Sequence, residues 1–386
     1  MLDPMMLPPI MMISAIAVFL SNLARIIPPG GPSGQGPVGV PVQLGIQVSL
    51  PRKGRRHSMS SLHRDAIVID GLIISKWGRE VFQSMRNGGL TAANCTCSVW
   101  DGFRGTMENI AQWKRWFAEH DDLILQVFST DDIRRAKRED RTGIILGWQN
   151  TAGIEDRIDF LGLYKALGVG VIQLTYNTQN LVGSGCWEGT DSGLSDFGRD
   201  VIDEMNAQGI LVDLSHVGAK TSEDAILHSK KPVAYTHCAP NGLKDYPRNK
   251  TDDQLRFIAD RGGFVGVCTY PPFLPWGADT TVDNCVTEID YMIDVVGEDC
   301  VGIGTDFTQG QDAQFFDYLS HDKGDGRRLT PKRPGSGVTV MPEGLRSIDD
   351  FPNLTAAMER AGWAEPRIRK VMGENWLRVL KEAWGA

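Results

Sequence analysis

From Ala66 onward the chain repeats one pattern. A short apolar run rich in β-branched residues is followed by a polar or glycine-rich turn, then by apolar residues at helical spacing. The runs are Ala66–Ile73, Leu90–Cys97, Gly143–Trp148, Gly170–Thr175, Ile210–Leu214, Pro232–Thr236, Phe264–Thr269 and Val301–Thr305. Their hydrophobicity is nearly continuous rather than alternating, as in parallel strands covered by helices. Between the runs, Phe160, Leu163 and Leu167, and later Val201, Ile202 and Met205, fall on one helical face. Gly168, Gly209 and Gly262 stand where such helices would end before the next strand. Strand–helix units repeated over roughly 250 residues predict an α/β fold, a (β/α)8 TIM-like barrel with a C-terminal helical segment. A doubly wound open sheet is the alternative. No Gly-x-Gly-x-x-Gly follows the first run, which argues against a dinucleotide site.

Residues 1–58 break the pattern. They contain Pro28-Pro29-Gly30-Gly31-Pro32 and Arg52-Lys53-Gly54-Arg55-Arg56. Their one greasy stretch, Ile10–Leu20, is short for a membrane span, and no Lys or Arg precedes Arg25 as a secretory signal would require. The expectation is a non-native or disordered extension, with Met59 as the natural start and 59–386 as a single barrel domain. A cleaved signal or anchor is the alternative, and would mean export instead of the expected cytoplasmic location.

Composition narrows the function. The 386 residues are 41% hydrophobic, enough for a packed core, so a disordered chain is excluded. A formal charge of −8 disfavours nucleic acid as a partner, because phosphate neutralisation needs a basic stripe. The seven cysteines fall mostly in apolar runs, and Cys95-x-Cys97 is too close for a redox or zinc knuckle, so no disulfide framework is expected.

A barrel gathers its chemistry at the C-terminal ends of its strands. Polar residues stand at those ends: Gln149, Tyr176, Asn177, His216, His237 and Asp306. Two imidazoles and an aspartate there would suit a divalent metal such as zinc or iron, with a water position left open. Taken singly, a strand-end histidine is more often a satisfied structural residue. Arg248, in the loop after the His237 run, could hold a substrate carboxylate, although alone it would read as a solvated arginine. Tyr176 could donate to a developing oxyanion. Asp213 reads equally as a partner behind the site or as a ligand. Trp77, Trp100 and Trp148 are candidates for lining the pocket, and His57, His63, His120, His228 and His321 read as surface.

Several segments together resemble the membrane (renal) dipeptidase family of metallopeptidases. They are Leu174-Thr175-Tyr176-Asn177, Gly193-Leu194-Ser195-Asp196-Phe197-Gly198-Arg199, Leu211 to Val217, Thr236-His237-Cys238, Arg248-Asn249, Gly302 to Phe307 and Gly373-Glu374-Asn375-Trp376. The resemblance runs in order from about Ala66 to Ala386. It implies a barrel of the metal-dependent hydrolase type, commonly dimeric, that hydrolyses dipeptides at a two-zinc centre. By position it implies His216 and His237 as metal ligands, Arg248 on the substrate carboxylate and Asp306 as the acid/base residue.

The chain departs from that family where the metals would bind. The family's first strand ends Asp-Gly-His-x-Asp, whereas this chain reads Asp70-Gly71-Leu72-Ile73-Ile74. The bridging glutamate is Gln149, and the histidine that polarises the scissile carbonyl is Tyr176. Aliphatic side chains cannot bind zinc, and a neutral amide bridges two cations poorly. The expected centre therefore holds at most one divalent metal, zinc, on His216 and His237 with help from Asp306 or Gln149, and metal-free operation remains an alternative. The expected partner is a small carboxylate-bearing molecule, with no membrane contact. The leading function is a dipeptidase-like hydrolase. Its rivals are other C–N chemistry on a small amine or amino acid, including catabolism of methylated glycines, and non-catalytic binding.

Overall fold

A computed structural model describes residues 59–329 and 338–385; the expected extension, 1–58, lies outside them. All the apolar runs become strands. They are β1 (Ile69–Ile73), β2 (Ala92–Ser98), β4 (Thr142–Trp148), β5 (Val169–Gln173), β6 (Leu211–Asp213), β7 (Val233–Cys238), β8 (Phe264–Val267) and β9 (Val301–Ile303). One further strand, β3 (Ile124–Gln126), carries too few residues to register in the pattern.

β1 pairs in parallel with β2 and β9, and β2 passes over β3 to pair with β4, so eight strands close into a barrel. β3 lies outside that closure. It takes the N-terminal part of β4, from Ile124↔Thr142 to Gln126↔Ile144, while β5 takes the C-terminal part, from Leu146↔Val169 to Trp148↔Ile172. Helices between strands begin where the sequence supplies caps. Ser195 accepts from the Gly198 N–H, and Thr251 and Thr281 form capping boxes with Gln254 and Asn284. The helix Asp196–Gln208 buries Val201, Ile202 and Met205 and ends on Gly209 in the left-handed region, φ 69°.

The N-terminal mouth of the barrel is plugged by the C-terminal helix Asn375–Trp384. Ile69, Ala92, Val171, Leu211, Ala234 and Phe264 pack against its Trp376, Val379, Leu380 and Ala383. The indole N–H groups of Trp376 and Trp384 donate to the carbonyls of Ile303 and Gly170, both at 2.9 Å. With one end filled by aromatic packing, the opposite mouth is the place for chemistry.

The seven cysteines are unpaired, as expected. His120, His228 and His321 are partly exposed, and His57 lies outside the described residues. His63 corrects the sequence reading, because it is fully buried. Its Nδ1 meets Thr355 Oγ1 at 2.6 Å and its Nε2 donates to the Gly88 carbonyl at 2.9 Å. The deciding partner lies 292 residues away, so no local pattern announces the burial.

Candidate functional site

β7 slips in register against β8 between Tyr235 and Cys238. There its main chain bulges inward, and glycines on three other segments make the room. A Cβ added at Gly71, Gly266 or Gly304 would lie 2.5, 2.0 or 2.0 Å from the Thr236 carbonyl oxygen. Such approaches are forbidden to any residue with a side chain. The bulge carries His237 inward, where His216, just past the end of β6, meets it.

Two carboxylates staple the strand ends. Asp213 takes the main-chain N–H of Ser215 (2.9 Å) and Thr236 (3.1 Å) and the hydroxyls of Ser215 (2.5 Å) and Thr236 (2.6 Å). Asp70 repeats the device between β1 and β9. It accepts from the Leu72 N–H (3.1 Å), the Thr305 N–H (2.9 Å) and the Thr305 hydroxyl (2.5 Å). In each staple the threonine immediately precedes a candidate site residue, His237 or Asp306. Burial pushes the Asp70 carboxyl up to about 7 even against these donors.

The two imidazoles face each other with Nε2 atoms 3.1 Å apart. Asn177 Oδ1 lies 2.7 Å from His216 Nδ1, and Tyr176 stacks on the same ring with centroids 4.3 Å apart. Burial, then the charge of Arg248, holds both imidazoles well below the usual histidine range, with Lys250 adding to the effect. Both are therefore neutral. Lys250 is itself buried, donates to the Val217 carbonyl at 2.8 Å and is pushed down to about 8 by desolvation first and Arg248 second.

One pocket at this mouth is lined by Gln149, Tyr176, Asn177, His216, Arg248 and Asp306, together with Ile74, Trp187, Tyr270 and Phe273. Arg248 is fully buried. Its Nη2 donates to the His237 carbonyl at 2.7 Å, while Nε and Nη1 have no partner among the described residues. Burial lifts the Asp306 carboxyl to about 6, with Arg248 opposing and Asp213 reinforcing the shift. Tyr176 stays a neutral phenol, raised chiefly by burial. Asn177 and Asp306 both adopt left-handed backbone, φ 63° and 60°, a strained conformation for non-glycine residues that is held where the site needs it.

The sequence-selected polar residues are thus brought together. Among the described residues no three His, Cys, Asp or Glu side chains form a ready metal-holding group, so Asp306 and the two imidazoles are not already drawn together as a three-ligand set. Trp148 packs on Tyr164 at 4.3 Å, and Trp77 and Trp100 also stand outside the pocket lining. Sequence reasoning missed Lys250, which looks like one more charge in a polar loop. It also missed Asp70 and Thr305, whose role depends on register across strands.

The family's two-metal centre does not fit these residues. Leu72 and Ile74 offer no electron pairs, and Ile74 packs with Val99, Trp100, Tyr176 and Leu329 in an apolar wall. Arg248 and Lys250 add positive charge beside the imidazoles, and no carboxylate stands among the ligand positions to offset a second cation. A single ion fits better. Two neutral imidazoles offer nitrogen, and Gln149, whose Nε2 donates to Thr96 Oγ1 at 3.0 Å, leaves a buried Oε1 without a partner among the described residues.

Comparison with known proteins agrees with this architecture. The model of the membrane dipeptidase family (peptidase family M19) matches residues 78–321 and 335–385. A solved structure described as an amidohydrolase from Pseudomonas aeruginosa is 56% identical, with a TM-score of 0.82, over 84% of this chain and 98% of that one. A protein of Schizosaccharomyces pombe, named an uncharacterized dipeptidase, is 30% identical over 287 residues, 72% of this chain. The match spans 62% of that yeast protein's length. A metallopeptidase of Rhodobacter sphaeroides, solved with a phosphinate mimic of the dipeptide L-Ala-D-Ala, shares the fold. It is 21% identical with a TM-score of 0.68, over 83% of this chain and all (100%) of that one.

Proposed function

This chain belongs to the membrane dipeptidase family, and on that premise we propose that its open mouth binds a small carboxylate-bearing molecule and hydrolyses an amide bond in it, at a centre holding at most one divalent ion. The observation that carries the reading is Arg248. A guanidinium with two nitrogens unpartnered among the described residues, fully buried at a pocket wall, calls for an anion, and a carboxylate matches its fork. Hydrolysis then needs a proton carrier and an oxyanion donor. Asp306 takes the proton of the attacking water as its oxygen bonds to the carbonyl carbon, and returns it to the amine as the C–N bond breaks. The Tyr176 phenol donates to the carbonyl oxygen as charge develops there. An ion on His216, His237 and Gln149 would supply a Lewis acid beside the same carbonyl.

The apolar side chains of Ile74 and Phe273 in the pocket wall favour a second reading on the same anchor, other C–N chemistry on a small amine or amino acid. One experiment separates these from simple binding. Calorimetric titration with a panel of dipeptides and N-substituted amino acids is paired with product analysis by mass spectrometry. A bound compound that is cleaved supports hydrolysis, and one converted without addition of water supports the second reading. Arg248→Ala is expected to weaken binding by about 2–4 kcal/mol, roughly 30- to 1000-fold, with Arg248→Lys intermediate. Undiminished binding by Arg248→Ala would overturn the anchor.

A further inference from the structure

The groups behind His216 and His237 decide what lies between them. Their Nε2 atoms are 3.1 Å apart, a hydrogen-bond length if either carries the ring proton. His216 Nδ1 is 2.7 Å from Asn177 Oδ1, an oxygen that also lies 3.6 Å from the donating Cys186 thiol. An amide oxygen only accepts, so the His216 proton sits on Nδ1. His237 Nδ1 is 2.9 Å from Thr236 Oγ1. That hydroxyl has one proton, directed at Asp213 Oδ2 at 2.6 Å, so toward His237 it accepts. The Ser215 hydroxyl is likewise committed to Asp213, at 2.5 Å, and cannot supply a proton to Thr236 in its place.

We infer that Asp213, acting through Thr236, and Asn177, acting directly, are positioning residues that fix both imidazoles as Nδ1–H tautomers. The pair then presents two bare nitrogens to one point. Facing lone pairs repel, so the arrangement is built for an electron-pair acceptor at that point and is not an imidazole–imidazole hydrogen bond. Asp213 and Thr236 touch nothing that reacts; their effect reaches the site only through the side of the ring on which a proton sits. The inference rests on the proposed reading only in treating the pair as part of that site, and its readout requires no substrate.

Long-range proton–nitrogen correlation spectra of the 15N-labelled chain report each ring's tautomer directly. They are recorded near neutral pH on protein as purified and again after chelator dialysis. Both rings are expected to read as Nδ1–H with unprotonated Nε2 in both samples. Thr236→Val removes the acceptor, and His237 is expected to turn to Nε2–H while His216 keeps its pattern. Thr236→Ser is expected to restore the parental spectrum. An Nε2–H on either ring of the parent, in either sample, overturns the inference, as does an unchanged His237 in folded Thr236→Val. Should that variant not fold, the parental spectra alone decide. A chain that binds no carboxylate but shows these tautomers would sink the proposed function and leave this inference standing.

Discussion

The main-chain N–H of Asp306 donates to the carbonyl of Leu72 at 3.0 Å. Two residues on, the Ile74 N–H donates to the Phe307 carbonyl at 2.9 Å. The main chain at Leu72 and Ile74, where the resembled family carries metal ligands, is thus held against the Asp306 segment by backbone bonds that do not depend on the side chains there. Restoring ligands should then need side chains alone. The variant Leu72→His, Ile74→Asp, Gln149→Glu is expected to raise bound metal toward two ions per chain. Its metal-free form should be less stable by about 1–3 kcal/mol for each buried polar group left unmatched, with zinc restoring the loss. Elemental analysis and melting with and without zinc check both parts, and an unchanged stoichiometry in the folded variant contradicts the first.

In the proposed mechanism Asp306 would set an acid limit on activity. Its carboxyl, lifted to about 6 mainly by burial, must be ionised to take a proton from water. The expected kcat/KM climbs as pH rises through about 6 and levels above it. Asp306→Asn should lose about 10²–10⁴ in kcat/KM and lose that limb. A limb that survives in the variant assigns it to another group.

The inward bulge of β7 depends on glycine. Gly266→Ala would put a Cβ 2.0 Å from the Thr236 carbonyl oxygen, which is main chain and cannot swing aside. Destabilisation of about 1–3 kcal/mol is expected, together with weaker ligand binding as His237 is displaced. Gly189→Ala, with nothing within 4 Å, is the control and should stay within about 0.5 kcal/mol. Equal effects from the two variants, measured by urea unfolding, would contradict this account of the bulge.

His63 ties stability to pH. Desolvation lowers it from 6.5 to about 4 in the folded chain, so the unfolded chain binds the proton more readily. The stability it contributes is fully present above pH 6.5 and is lost as pH falls toward about 4. The unfolding free energies of parent and His63→Gln should therefore converge by about 3 kcal/mol across that window. A pH-independent difference would mean that His63 titrates alike in both states.

The barrel was readable because strands buried on both faces are continuous apolar runs, and the polar residues that end them, His216, His237 and Asp306, stand out against that background. How those residues meet was not readable. Gly71, Gly266 and Gly304 look like ordinary strand glycines until β7 is seen to bulge against them. The burial of Arg248 and Lys250 was hidden too, since Tyr246-Pro247-Arg248-Asn249-Lys250 has the composition of a solvated loop. It folds inward because Lys250 pairs with Pro240 and its N–H donates to the Ala239 carbonyl at 3.0 Å, a contact between residues too far apart for local periodicity to show. The reading of Leu72 and Ile74 as lost ligands came from the resembled motif. The apolar wall that Ile74 joins is the physical counterpart of that loss.

On the proposed reading, the greasy first strand leaves a centre for one ion at most. Elemental analysis of the full chain, purified without added chelator and again after dialysis against excess zinc, tests it most directly. The account predicts no more than one divalent ion per chain in both samples; two ions per chain in either would contradict it.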